Sequence, residues 1–292
     1  MWQSWFKLRS RPFSNAVASG ALHPAELRQS QLHQLKEPLF HREGFALLLG
    51  AAGMGKTFLL HRLAESLSEG FQLAWLTNAR LPNLAALHQA LLFDWDRPYV
   101  GRTEQELRLA VVEQILQQAR NGRPTMVVVD DAQHLEPEQL EEFRLLANLE
   151  SGSGKFFVTV FAGQAELGAK MQSTALCSLT QQVATRVALE ALSPEESCEY
   201  VRQQLRDAGG DPQRLLDSEA LSLIAQVGDG TPRLLNHVAR TALRQAALAE
   251  NRIVDVEAVM GAAEELGLGV EPDSDAVEPL ALSLPARQKR SA

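Results

Sequence analysis

The chain of 292 residues is long enough for two domains, and its 45% hydrophobic and 22% charged residues are typical of a soluble globular protein. Its net charge of −8 and isoelectric point of about 5.5 argue against a large non-specific nucleic-acid surface, which needs clustered Lys and Arg. Two cysteines provide neither a disulfide framework nor a metal-binding spacing. No apolar window reaches about 18 residues and no signal-peptide pattern is present, so we expect a cytoplasmic protein without a transmembrane segment.

The first 43 residues are aromatic and basic at the start and then helical in pattern over 24–35, which predicts an N-terminal helical extension. Apolar runs and helical patterns alternate after it. Continuous apolar runs are typical of strands buried on both faces, and their alternation with helices favours a parallel sheet. The predicted strands are 45–49, 73–76, 126–129, 156–161 and 187–189. Helices are predicted to begin near Thr57, Asn83, Thr103 and Pro137. Residues 151–154 are predicted to form a plain turn, and a helical stretch leads to Arg186.

The strand pattern ends at Leu192. Ser193 and Glu196 have the spacing of a capping box, and helices are predicted at about 194–207, 218–227, 232–249 and 255–265. We therefore predict a three-layer α/β core over 44–191, with a parallel sheet, and a small all-helical lid domain over 192–266. Residues 267–292 carry three prolines and mixed charge without periodicity, which predicts a flexible tail.

A phosphate-binding motif follows the first predicted strand. Residues 50–57 match G-x-x-x-x-G-K-[ST], in which backbone N–H groups and a helix N-terminus surround phosphate oxygens. We expect Lys56 to reach the β- and γ-phosphates and Thr57 to be a Mg²⁺ ligand. A plain glycine-rich turn is the alternative, but an apolar strand before the motif and an amphipathic helix after it favour phosphate binding. The predicted ATP-binding residues are Gly50, Ala51, Ala52, Gly53, Met54, Gly55, Lys56, Thr57 and Phe58.

A pair of carboxylates follows the third predicted strand. Four apolar residues end at Asp130 and Asp131, at the carboxyl edge of the sheet, where ligands bind in such folds. This position predicts that Asp130 holds Mg²⁺ through its water shell and that Asp131 orients the attacking water. A simple helix start at Asp131 is the alternative.

The two motifs together resemble those of AAA+ P-loop ATPases. Residues 5–14, 76–81, 130–133, 148–150 and 161–167 are similar to sequence blocks of the general-secretion (ExeA/GspA) group, and the resemblance covers about residues 3–265. ATPases of pilus biogenesis (MshM type) and of transposition (TniB type) share these blocks. The general-secretion type continues into a membrane helix and an envelope domain, so we expect this chain to correspond to the ATPase part alone.

The resemblance implies three further roles. Gln164 is similar to sensor 1, which contacts the γ-phosphate or the water. Arg186 resembles the arginine finger that relatives carry before the last strand, acting on the ATP of a neighbouring subunit. Arg233, in a segment similar to sensor 2 of the lid, would report the nucleotide state. The alternative is an ordinary surface side chain for Gln164 and Arg233, and a solvated arginine at a helix end for Arg186. The group usually has Glu where this chain has Asp131, and the shorter side chain implies slower hydrolysis.

These residues predict an enzyme that binds Mg-ATP and hydrolyses ATP to ADP and phosphate, and the resemblance implies that it is oligomeric. The resemblance implies an assembly ATPase with protein partners in a secretion or pilus system, cytoplasmic or peripheral at the inner membrane. A DNA-associated transposition regulator is a second hypothesis, which the acidic charge disfavours. An ATP-loaded scaffold with little turnover is a third.

Overall fold

The computed structural model of the protein describes residues 2–14, 28–77, 79–152 and 154–269. Its centre is a parallel sheet of five strands in the order β2-β3-β6-β1-β7, with a separate two-stranded hairpin, β4-β5. The strands are β1 (Phe45–Gly50), β2 (Gln72–Leu76), β3 (Thr125–Val129), β4 (Glu150–Ser151), β5 (Gly154–Lys155), β6 (Phe157–Gly163) and β7 (Val183–Leu189).

Helices cover the sheet, and the elements that follow β7 along the chain are all helices. Three predicted caps are present: the Asn83 side chain accepts from the Ala86 N–H, and capping boxes form at Thr103 and Ser193. The helices are α1 (Trp2–Trp5), α2 (Gln29–Phe40), α3 (Lys56–Leu67), α4 (Leu84–Asp94), α5 (Glu104–Arg120), α6 (Pro137–Leu146), α7 (Ala165–Met171), α8 (Cys177–Thr180), α9 (Pro194–Asp207), α10 (Pro212–Leu215), α11 (Ser218–Gly228), α12 (Pro232–Leu248) and α13 (Val256–Glu265), with 3₁₀ turns at Ala132–His134 and Thr174–Leu176.

Each face of the sheet is buried by a different set of helices. Strands β3 and β6 are buried at every residue, which explains why their sequences are continuously apolar. One hydrophobic core joins the sheet to α4, α5 and α6, and the other joins it to α2 and α3. The predicted three-layer α/β architecture is therefore confirmed. Among the described residues, no helix has both the length and the apolar character that crossing a membrane requires.

The lid, which consists of α9 to α13, has a hydrophobic core of its own. This core also contains Phe6, Leu8 and Phe13 from the start of the chain. Helix α2, by contrast, buries Leu35 and Leu39 against the sheet. The extension predicted over 1–43 is thus divided between two cores. The predicted flexible tail lies mostly outside the described residues, which end at 269.

Three predicted elements differ from the structure. The helix predicted over 24–35 is observed as Gln29–Phe40, because Leu39 continues the buried face past Leu35, and the segment 15–27 lies outside the described residues. The plain turn at 151–154 is the end of the β4-β5 hairpin. The last strand begins at Val183 rather than at 187, and its residues alternate between more and less exposed positions, as expected of an edge strand.

Candidate phosphate and metal site

The phosphate-binding loop connects β1 to α3 at the carboxyl edge of the sheet. Gly50 ends β1, Lys56 begins α3, and Phe58 lies half-buried in the first turn of that helix. Gly53 and Gly55 have φ values of 83° and 90°, a left-handed conformation that glycine adopts without strain. Ala51 and Ala52 are exposed, whereas Gly53, Met54 and Gly55 are half-buried. The loop therefore presents an accessible backbone at a helix N-terminus, where phosphate oxygens bind.

The lid lies directly against this loop. The backbone N–H of Arg233 donates to the Gly53 carbonyl at 3.3 Å, and α12 begins at the preceding residue, Pro232. A Cβ atom on Gly53 would lie 2.9 Å from Arg233 Cβ and 3.1 Å from Thr231 Cγ2. Gly53 is therefore required both by its backbone conformation and by the close approach of the lid.

Lys56 folds back on the loop. Its side chain is largely buried, with the residue 7% exposed, and Nζ donates to the carbonyls of Gly50 at 2.9 Å and Ala51 at 3.0 Å. Burial lowers the pKa of Lys56, although the negative charges of Asp130 and Asp131 oppose this shift, and the positive charge of Arg233 adds to it. The two carboxylates and Arg233 thus act electrostatically on the ammonium group.

Thr57 and Asp130 form the candidate metal site. The Thr57 hydroxyl donates to Asp130 Oδ2 at 2.5 Å, and Asp130 is 8% exposed at the end of β3. The second carboxylate oxygen, Oδ1, accepts from the Asp131 N–H at 2.9 Å. An alcohol and a carboxylate held side by side beside a phosphate loop are the oxygen donors that Mg²⁺ prefers. The residues present therefore fit a magnesium ion bound together with phosphate.

Asp131 follows the strand in an unusual backbone conformation. Its φ and ψ are 51° and 39°, which is left-handed, and Asp is one of the few residue types that adopt this region readily. The residue is exposed, and Oδ1 accepts a hydrogen bond from Gln133 Nε2 at 3.1 Å. The Asp131 carboxylate is therefore exposed at the sheet edge beside Asp130, and its charge acts on Lys56.

Gln164 is brought near Asp131 through Gln133. Gln164 is half-buried at the N-terminus of α7, and its backbone N–H donates to Gln133 Oε1 at 3.3 Å. The structure gives no contact of the Gln164 side chain with the phosphate loop. Its predicted role at the γ-phosphate stays a prediction.

Arg186 requires a correction of position. Instead of lying before the last strand, it lies inside β7, where it pairs with Leu47 of β1. The residue before the strand is Gln182, whose carbonyl accepts from the Phe45 N–H. Arg186 is exposed on an edge strand, so a neighbouring subunit could contact it, but the positional argument for an arginine finger no longer applies.

Three further residues near the site have no role predicted from the sequence. Gln133 contacts Asp131, Lys170 Nζ donates to the carbonyls of Gln133 and Leu135, and the charge of Glu166 acts on Lys56. Gln133 and Glu166 lie in segments that resemble the general-secretion blocks, and this resemblance is the sequence signal that could have identified them. Their contacts depend on the pairing of β3 with β6, which no local pattern indicates.

Comparisons with known proteins agree with this geometry. A family model described as an AAA domain matches residues 39–171. The chain is 31% identical over 270 residues to General secretion pathway protein A of Aeromonas hydrophila, and this match covers 92% of the chain and 49% of the relative. The chain thus spans about half the length of that curated relative.

Solved structures with the same fold are more distant in sequence. Cdc6p of Pyrobaculum aerophilum has a TM-score of 0.69 at 19% identity, covering 92% of this chain and 72% of the other. ORC2 of Aeropyrum pernix has a TM-score of 0.65 at 16% identity, covering 94% and 73%. RuvB of Thermotoga maritima, described as a Holliday junction branch migration motor, has a TM-score of 0.54 at 15% identity, covering 87% and 73%. Residues 39–171 therefore match the AAA domain family, the chain has the fold of AAA+ P-loop proteins, and it is similar to General secretion pathway protein A.

Proposed function

We propose that the protein binds Mg-ATP at the loop of residues 50–57 and hydrolyses it to ADP and phosphate. The observation that carries this proposal is the contact between Thr57 and Asp130, 2.5 Å apart at the N-terminus of α3. That contact joins a metal-binding oxygen pair to a loop whose glycines, lysine and helix terminus all suit phosphate.

Each residue of the site has its own role in the proposed reaction. Lys56 exchanges its bonds to the Gly50 and Ala51 carbonyls for bonds to the β- and γ-phosphates when ATP enters. Thr57 and Asp130 would hold Mg²⁺, which would neutralise charge on the phosphates. Asp131 orients the attacking water, and Gln164 contacts that water or the γ-phosphate. Because Asp131 is one methylene shorter than Glu, we expect turnover to be slow.

Movement of the lid would couple this reaction to the binding of a partner. Arg233, in the first turn of α12, packs against Gly53, so its side chain lies beside the loop that would hold the phosphates. We infer that the lid changes position with the nucleotide state and so changes how a partner is held. The similarity to General secretion pathway protein A supports an oligomeric assembly ATPase with a protein partner in a secretion or pilus system, in the cytoplasm or at the inner membrane.

A binding measurement tests the proposal. Lys56→Ala should lower the affinity for a fluorescent ATP analogue by about 100-fold, because charge-assisted hydrogen bonds of this kind are worth about 3 kcal/mol. Lys36→Ala, which removes a lysine from α2, should bind as the wild type does. A wild-type protein with magnesium that has no affinity for adenine nucleotide would end the proposal.

The same preparation separates the secretion hypothesis from the DNA hypothesis. Duplex DNA should give no salt-sensitive binding with or without ATP, since the net charge is −8. Binding that appears with ATP and weakens steeply with salt would favour a DNA-associated regulator instead.

A further inference from the structure

Two segments that leave the sheet at neighbouring strands are bridged by one side-chain amide. The first is the Asp131 turn, residues 131–135, after β3, and the second begins at Gly163, the end of β6. Gln133 Nε2 donates to Asp131 Oδ1 at 3.1 Å, while Gln133 Oε1 accepts from the Gln164 N–H at 3.3 Å. A single amide thus contacts both residues that the proposed hydrolysis assigns to the attacking water.

The orientation of this amide follows from its partners. A backbone N–H can only donate, so the oxygen of Gln133 must face Gln164. The amide nitrogen then faces Asp131, whose Oδ1 accepts the hydrogen bond. The bridge needs a donor and an acceptor on one side chain of this length, a combination that Glu and Met do not offer.

Gly163 leaves the space that the amide occupies. A Cβ atom there would lie 2.7 Å from Gln133 Oε1 and 2.7 Å from Leu167 Cδ2. The φ of Gly163 is not left-handed, so backbone strain does not explain the glycine. Its missing side chain is explained by the close approach of Gln133 and Leu167.

Lys170 fixes the backbone from which Gln133 projects. Its Nζ donates to the carbonyls of Gln133 at 2.8 Å and Leu135 at 2.6 Å. Lys170 belongs to α7, the same helix that Gln164 caps. The Asp131 turn is therefore attached to α7 twice, once through the side chain of Gln133 and once through its backbone.

We propose that Gln133 is a positioning residue for ATP hydrolysis, which holds the Asp131 carboxylate in one orientation and links it to the segment of Gln164. This inference rests on the proposed function. Asp131 is exposed, and without the amide its side chain could rotate away from the γ-phosphate. Because water-orienting groups must be held within about 0.5 Å, such rotation slows the reaction while leaving ATP binding intact.

Two variants separate positioning from mere structural support. Gln133→Glu keeps the size and the acceptor for the Gln164 N–H but puts an oxygen against Asp131. Gln133→Met removes both bonds at similar volume. We expect kcat to fall about 10-fold or more in both, with the Kd for a fluorescent ATP analogue unchanged. Gln117→Glu, an equal change of charge on an exposed face of α5, should leave kcat at the wild-type value.

Hydrogen–deuterium exchange of the peptide covering residues 163–167 provides the second readout. Exchange should increase in Gln133→Met, which frees the Gln164 N–H, and should match the wild type in Gln133→Glu. Lost turnover with unchanged exchange in Gln133→Glu supports positioning, because a purely structural role predicts that this variant stays active. Wild-type kcat in Gln133→Glu overturns the inference. A wild type that binds ATP without any turnover instead contradicts the proposed hydrolysis itself.

Discussion

At the scale of single residues, Asp131 combines a left-handed backbone with a carboxylate at the site. Asn tolerates this conformation as well as Asp does and still accepts a hydrogen bond from Gln133. Asp131→Asn therefore keeps the geometry and removes the charge.

We predict that Asp131→Asn binds ATP like the wild type but loses turnover by about 100-fold or more, the usual contribution of a group that takes up or directs a proton. Equilibrium binding and phosphate release in the same buffer measure both quantities. If the wild type releases phosphate no faster than this variant, even when oligomeric, the protein is an ATP-loaded scaffold.

Tyr200 has a polar group deep inside the lid. Its hydroxyl donates to Asn236 Oδ1 at 2.9 Å, and burial raises its pKa to about 12 from the usual 10. The unfolded chain therefore loses this proton first as the pH rises. The contribution to folding is complete below pH 10 and is lost as the pH approaches 12.

We predict that the free energy of unfolding falls by about 2 kcal/mol more between pH 10 and 12 in the wild type than in Tyr200→Phe, since each pKa unit is worth about 1.4 kcal/mol. Urea titrations at several pH values measure this difference. Equal slopes for Tyr200→Phe and the wild type would contradict the buried state of this hydroxyl.

At the scale of elements, the contact between the phosphate loop and α12 depends on the absence of a side chain at Gly53. Gly53 and Gly55 are both left-handed, so alanine strains the backbone at either position by about 1–2 kcal/mol. Only at Gly53 would the added Cβ also meet the lid, because nothing lies within 4 Å of a Cβ at Gly55.

We therefore predict that Gly53→Ala lowers the melting temperature more than Gly55→Ala does and moves the lid away from the loop. Differential scanning fluorimetry measures the first effect, and an increased radius of gyration in small-angle scattering measures the second. Identical results for the two variants would mean that the contact between Arg233 and Gly53 contributes nothing to lid position.

How well the sequence predicted each element depended on how local its signal is. The phosphate loop was predictable because glycines, lysine and threonine act within eight consecutive residues. The start of β7 was missed because an edge strand with alternating exposure lacks the continuous apolar run of β3. The bridge at Gln133 could not be predicted, since it needs Gly163, thirty residues away, to be placed beside it by strand pairing.

At the scale of the whole molecule, the proposed role of Arg186 depends on whether the protein forms an oligomer. The side chain is exposed on the edge strand β7, where it can reach a neighbouring subunit. A residue that stabilises the charge of phosphoryl transfer from a second subunit can raise the rate by about 10³–10⁵.

We predict that Arg186→Ala and Asp131→Asn subunits, each inactive alone, recover part of the ATPase rate when they are assembled together. In a mixed interface, an intact Arg186 can then face an intact Asp131. Phosphate release across a series of mixing ratios measures the recovery. If no ratio restores turnover, Arg186 has no role in trans.

The packing of Phe6, Leu8 and Phe13 within the lid has a practical consequence for defining this protein's folded unit. The matched AAA domain begins at residue 39, inside α2. A shortened protein that started at residue 39 would lack Phe6, Leu8 and Phe13, which would leave an apolar cavity in the lid core. It would also lack most of α2, which covers one face of the sheet. The start of the matched AAA domain therefore does not mark the start of the folded unit, which begins some thirty residues earlier, at the aromatic segment near the amino terminus.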